Sequence, residues 1–143
     1  MTRATPGGGP PGPGPLKYLT VLEILDLAEY ACQEQEVGVR DLGLLSSAAH
    51  RPQSQMFGVE AYTGLFEKAA SLLHSLAVNH PFVDGNKRTA WMSTVVFLDL
   101  NGAEMAGIDQ DEAYLLVVGI AAGEVSELGE IARRLRALYD GRS

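Results

Sequence analysis

Residues 80–90 read His-Pro-Phe-Val-Asp-Gly-Asn-Lys-Arg-Thr-Ala and interrupt an otherwise helical pattern. Pro81 disfavours the α region for His80, so the preceding helix should end there and leave the imidazole on a turn. Phe82 is apolar within a polar loop and is expected to anchor that loop in the core. Gly85 permits positive φ and close approach of a ligand. Asn86 is a good N-cap, so a new helix is expected from about Lys87. A bend of this kind fixes two helices against each other, and the rest of the chain can be read outward from it.

Upstream, Leu65, Ala69, Leu72, Leu73 and Leu76 follow helical spacing and predict a helix from about Glu60 to Asn79. Downstream, the segment from Lys87 to Leu100 is apolar on most sides, with Ala90, Trp91, Met92, Val95, Val96, Phe97 and Leu98. That pattern places it at the centre of the fold, with a stop at Asn101-Gly102. Thr20 and Glu23 have capping-box spacing and open a helix carrying Val21, Ile24, Leu25, Ala28, Ala31 and Cys32. Asp41 suits the cap of a helix that Pro52 ends, and residues 52–59 suit a loop or short hairpin. Asp109 is placed to open a further helix, and Leu128, Ile131, Leu135 and Leu138 mark a last one. No strand series is long enough for a sheet. The predicted class is all-α: a compact helical bundle with a buried central helix following the 80–86 loop.

Residues 1–15 hold five Gly and five Pro and read as a disordered tail or an upstream start-site extension. Residues 16–143 are then one domain. The chain has 11 Lys+Arg against 18 Asp+Glu, a net charge of −7, which argues against direct nucleic-acid binding. Hydrophobic residues make up 46%, enough for a packed core. One cysteine, Cys32, excludes an intramolecular disulfide and a four-thiolate metal site. No apolar run approaches the roughly 20 residues of a membrane span, so no membrane partner is expected and the expected location is the cytoplasm.

The loop also carries chemistry. A helix starting just after Gly85 leaves free amide groups around residues 85–88, and such an end binds anions, phosphate above all. Lys87 and Arg88 add full positive charges at the same place. That placement opposes the helix macrodipole, which favours acidic residues in the first turn. A polyphosphate ligand reverses the sign of this cost. Asp84 is a candidate ligand for a hard cation, and histidine is the side chain suited to accept a proton near neutral pH. The residues therefore suggest a nucleotide-phosphate site with His80 as base and Mg²⁺ held by Asp84. A solvated Lys-Arg pair, a core-capping His and an Asp near a helix start would also fit them. A P-loop does not: Lys87 follows Asn86, and the segment before the loop is helical.

The stretch resembles the signature of the Fic/Doc family, in the variant of the Doc (death on curing) toxins. The Fic pattern, H-P-F-x-[DE]-G-N-G-R-x-x-R, is matched through Asn86. The chain then departs, with Lys87 at the second Gly and Ala90-Trp91 where the final Arg would sit. The Doc pattern, H-x-F-x-[DN]-[AG]-N-K-R-T, is matched at every position from His80 to Thr89. The resemblance implies a toxin of a toxin–antitoxin system. It would act as a protein kinase, moving the γ-phosphate of ATP to a threonine or serine hydroxyl of elongation factor Tu and halting translation. It assigns His80 as general base and Asp84 to Mg²⁺. Gly85, Asn86, Lys87 and Arg88 would form the phosphate site. It further implies a Phd-like antitoxin whose disordered tail folds into a groove on the bundle.

A Gly at position 87 would let backbone approach an α-phosphate, whereas a Lys fills that space with a mobile charge. Following the resemblance, that exchange would turn the γ-phosphate toward His80. An AMP-transferring Fic-type enzyme is the alternative within enzymes, and a catalytically silent binding module is the alternative outside them.

The remaining candidates read as structural. The Ser126–Glu130 and Thr63–Glu67 spacings lack the Gly or Asn of an inhibitory Fic helix and suit surface pairs. His50 and His74 do not form a metal pair with His80. Cys32 is expected as an inert core thiol and Trp91 as core. Arg51 precedes a loop that could close over a target peptide, although a solvated helix end accounts for it as well. Arg133, Arg134 and Arg136 suit ion pairs along their own helix.

Overall fold

The computed structural model describes residues 15–33 and 37–143. The Gly/Pro-rich tail expected over residues 1–15 lies outside the described residues except for Pro15. Helices α1 (Val21–Cys32), α2 (Leu42–His50), α3 (Leu65–Asn79), α4 (Asn86–Leu100), α5 (Gln110–Ala121) and α6 (Leu128–Asp140) build the domain. A two-stranded hairpin, β1 (Gln55–Met56) and β2 (Val59–Glu60), projects between α2 and α3, with Gln55 opposite Glu60. The all-α class stands.

Helix ends follow local chemistry. Thr20 accepts from the Glu23 amide at 3.1 Å, and the Glu23 carboxylate accepts from the Thr20 amide at 2.9 Å, closing the capping box. Asp41 caps α2 through the Leu44 amide, and Asp109 caps α5 through the amides of Asp111 and Glu112. Pro52 does not cut the chain off α2 abruptly. Arg51–Gln53 forms one 3₁₀ turn with Pro52 buried inside it. The helix expected from Glu60 begins only at Leu65, because Val59 and Glu60 are spent on the hairpin and Gly64 takes the N-cap.

The central position differs from the expected one. Helix α3 packs against α2, α4, α5 and α6, and Lys68 through Leu73 are all buried in it. Helix α4 buries Ala90, Phe97 and Leu98, but Trp91, Met92, Val95 and Val96 are only partly covered. Its all-round apolar character reflects a groove along one flank rather than complete enclosure. Buried Lys68 is held by Glu60 Oε1 at 2.8 Å and the Pro52 carbonyl at 3.2 Å, which ties the hairpin to α3. At the far end of α4, Asn101 bonds to both main-chain groups of Lys17 and joins the entry segment to the core. Among the described residues, no helix is long and apolar enough to cross a membrane.

Candidate functional site

Helix α3 ends at Asn79, and His80 turns left-handed with φ 50° and ψ 61°. For a non-glycine residue this conformation costs roughly 1–2 kcal/mol and persists only where surrounding contacts impose it. Arg40 supplies those contacts. Its Nε and Nη2 donate to the carbonyls of His80 and Asn79, both at 2.6 Å. The same segment pairs with the loop: the Arg40 amide donates to the Pro81 carbonyl at 2.7 Å, and Val83 donates to Gly38 at 2.9 Å. A side chain on Gly38 would strike the side chain of Val83, so glycine there leaves room for Val83 to lie against this segment.

Phe82 is buried, as expected, with 1% of its surface exposed. Asn86 is not the N-cap. Gly85 holds that position with φ 77°, and Asn86 is the first residue of α4. The Asn86 side chain instead accepts from the Phe82 amide and donates to the Phe82 carbonyl, both at 3.0 Å. The carboxamide therefore fastens the bend to its core anchor. Left-handed backbone at Gly85 and this staple together turn the chain into α4 within a few residues.

Gly85 meets a second constraint. A Cβ there would fall against Cys32 Sγ. Cys32 is half-buried at the end of α1 and packs on the bend, so it is not the core thiol expected from its place on the apolar face. Arg40 did not stand out in the sequence and Cys32 read only as a core thiol, because each acts through a contact across some 40 residues or more with no periodic signature.

The result is a compact chemical surface. The amides of Asn86, Lys87 and Arg88 open α4 without intrahelical partners. Lys87, Arg88, Asp84 and His80 are all exposed, and His80 ends the helix that packs most closely on α4. Every site residue expected from the sequence thus lies on one bend and the first turn that follows it. The donor set suits a polyphosphate: main-chain amides at the positive end of a helix, two cations beside them and a free carboxylate. It also suits Mg²⁺ held chiefly by phosphate and water. Among the described residues no group of three or more His, Cys, Asp or Glu side chains converges, so no all-protein cage forms.

Flanking the cations, an open groove of about 550 Å³ runs between α4 and α5, with Trp91, Met92, Val95, Tyr114 and Val117 on its walls and Lys87 and Arg88 along it. A separate cleft of about 710 Å³ lies elsewhere, between the start of α3 and α6, and shares none of these groups.

The profile of the Fic/DOC family matches residues 18–98. The chain is 48% identical over 101 residues to "Toxin Doc" of Mycolicibacterium smegmatis, covering 70% of this chain and 77% of that protein. It is 39% identical over 102 residues to "Protein kinase doc" of Escherichia phage P1, covering 71% and 78% respectively.

Proposed function

The chain belongs to the Fic/DOC family, within its Doc-like subgroup, and from that premise we propose that it is the toxin of a toxin–antitoxin pair and a protein kinase. It moves the γ-phosphate of ATP to a threonine or serine hydroxyl of a translation factor, elongation factor Tu by resemblance, and so stops protein synthesis in the cytoplasm. The observation that carries this reading is the bend itself: a histidine at the end of α3 beside a helix start bearing free amides, Lys87 and Arg88.

Each residue then has a task. His80 takes the proton of the target hydroxyl as its oxygen bonds to the γ-phosphorus. The α4 amides, Lys87 and Arg88 neutralise charge that accumulates on phosphate oxygens, and ADP leaves with the electrons of the broken bond. Asn86 contributes its amide and the rigidity of the bend, since its side chain is occupied by Phe82. Asp84 would hold Mg²⁺, which when bound offsets the negative charge of the phosphates. Arg40 keeps His80 in its strained position.

The antitoxin reading gains from the groove between α4 and α5. Its apolar walls and adjacent cations fit an amphipathic segment that carries acidic residues, docking next to the phosphate site. The antitoxin would then supply the DNA contact that an acidic chain lacks.

Incubation of purified elongation factor Tu with this protein and Mg-ATP, followed by mass spectrometry, tests the proposal. One phosphate on a single hydroxyl is the expected adduct. An adenylyl adduct would move the chain to the AMP-transferring class, and no adduct would leave only a binding module.

A further inference from the structure

Arg51 opens the 3₁₀ turn after α2 and lies half-buried against α3. Its Nε donates to the Tyr62 hydroxyl at 3.0 Å, and its Nη1 donates to Ser75 Oγ at 2.9 Å. Nη1 also lies 3.2 Å from His74 Nδ1. All of these partners are neutral, His74 included: burial and then the Arg51 charge itself hold the imidazole below its ordinary value of 6.5. The three contacts fix the plane of the guanidinium and leave Nη2 with no partner among the described residues.

No carboxylate pairs with it either. Among the described residues the ion pairs are Lys68–Glu60, Arg133–Glu130 and Arg136–Asp140. A cation partly withdrawn from water, fixed in orientation and lacking a counter-charge is suited to receive an anion from outside.

Its position says which anion. Arg51, Ser75 and Asn79 line an open polar cleft of about 600 Å³, faced by Ser46, Ser47 and His50 of α2. Asn79 is the last residue of α3, and His80 follows it. Ser75 and His80 are five residues apart, or about 7.5 Å along the helix axis at ~1.5 Å per residue. The nucleotide's charge is already matched by Lys87, Arg88 and the α4 amides. One guanidinium among hydroxyls matches a single carboxylate rather than another polyphosphate.

We infer that this cleft is a recognition subsite for the protein target, in which Arg51 binds an Asp or Glu side chain lying within about 10 Å of the hydroxyl that faces His80. The inference rests on the kinase reading for the identity of the occupant. Arg51 is a positioning residue: it holds the target in register and does not touch the reacting atoms.

Calorimetric titration of the elongation factor used above into wild-type protein, R51Q and R51K separates the two claims. Binding by R51Q is expected to weaken by about tenfold or more, with R51K between it and the wild type, because an ammonium keeps the charge and loses the planar fork. ATP affinity, read by thermal shift, stays unchanged in both variants. R51K also decides the matter if R51Q fails to fold. Exchanging the target's nearby Asp or Glu for its amide should weaken binding to the wild type and leave binding to R51Q as it was. Equal affinity of folded R51Q or R51K and wild type, or no binding by the wild type, overturns the subsite. Arg51-dependent binding without phosphate transfer would leave the subsite standing and remove the kinase.

Discussion

At residue scale the bend depends on two left-handed positions, His80 and Gly85. They respond differently to substitution. Asn tolerates left-handed backbone better than most residues, so His80→Asn should keep or slightly raise thermal stability. The same change removes the proposed base and should slow transfer by about 10²–10⁴-fold. Denaturation curves and single-turnover rates on one preparation check both halves, and a slow variant that is also unfolded would contradict the argument. Gly85→Ala meets both its own φ and Cys32. It should cost about 2–4 kcal/mol, combining left-handed strain with overpacking. Adding Cys32→Ala should recover the overpacking share alone. Urea denaturation of the single and double variants measures it, and no recovery would show that the sulfur is not the obstacle.

Element scale shows what the sequence made legible and what it did not. Caps at Thr20, Asp41 and Asp109 are local devices whose partners lie within three residues, so spacing sufficed to find them. The bend was legible for the same reason, since Pro81 and Gly85 act on their own neighbours. Asn86 misled because a residue suited to cap a helix can also bond backward, and only the left-handed Gly85 decides between them. The greater enclosure of α3 was hidden too. Apolar residues around α4 look alike whether they meet core or line an open groove, and only packing distinguishes them. Arg40 and Arg51 could not be assigned, because their acceptors belong to other elements.

The contact between the 3₁₀ turn and α3 carries a pH signature at this same scale. Folding holds His74 below its ordinary value of 6.5. Between that lowered value and about 6.5 the unfolded chain binds more protons than the folded one. Stability therefore falls as pH drops through this window and is fully present above it. Melting temperatures from pH 7.5 to 5 should decline less steeply in His74→Gln than in the wild type. Parallel curves would place the titration elsewhere.

On the scale of the whole molecule, an acidic chain presents a small basic surface where α4 begins, while its core is organised around the helix that ends in His80. On the proposed reading the architecture holds a base at one helix end and a phosphate site at the next helix start, with α1 and the segment before α2 bracing the bend between them. Such a scaffold needs no more than positioning and charge neutralisation to transfer a phosphoryl group. Paired reactions with γ-labelled and α-labelled ATP on elongation factor Tu test that claim most directly, run with the wild type and with His80→Asn. The account predicts γ-label on the protein, α-label retained in ADP, and γ-transfer slowed by about 10²–10⁴-fold in the variant. Label from the α-position on the protein, or equal γ-transfer without His80, would contradict it.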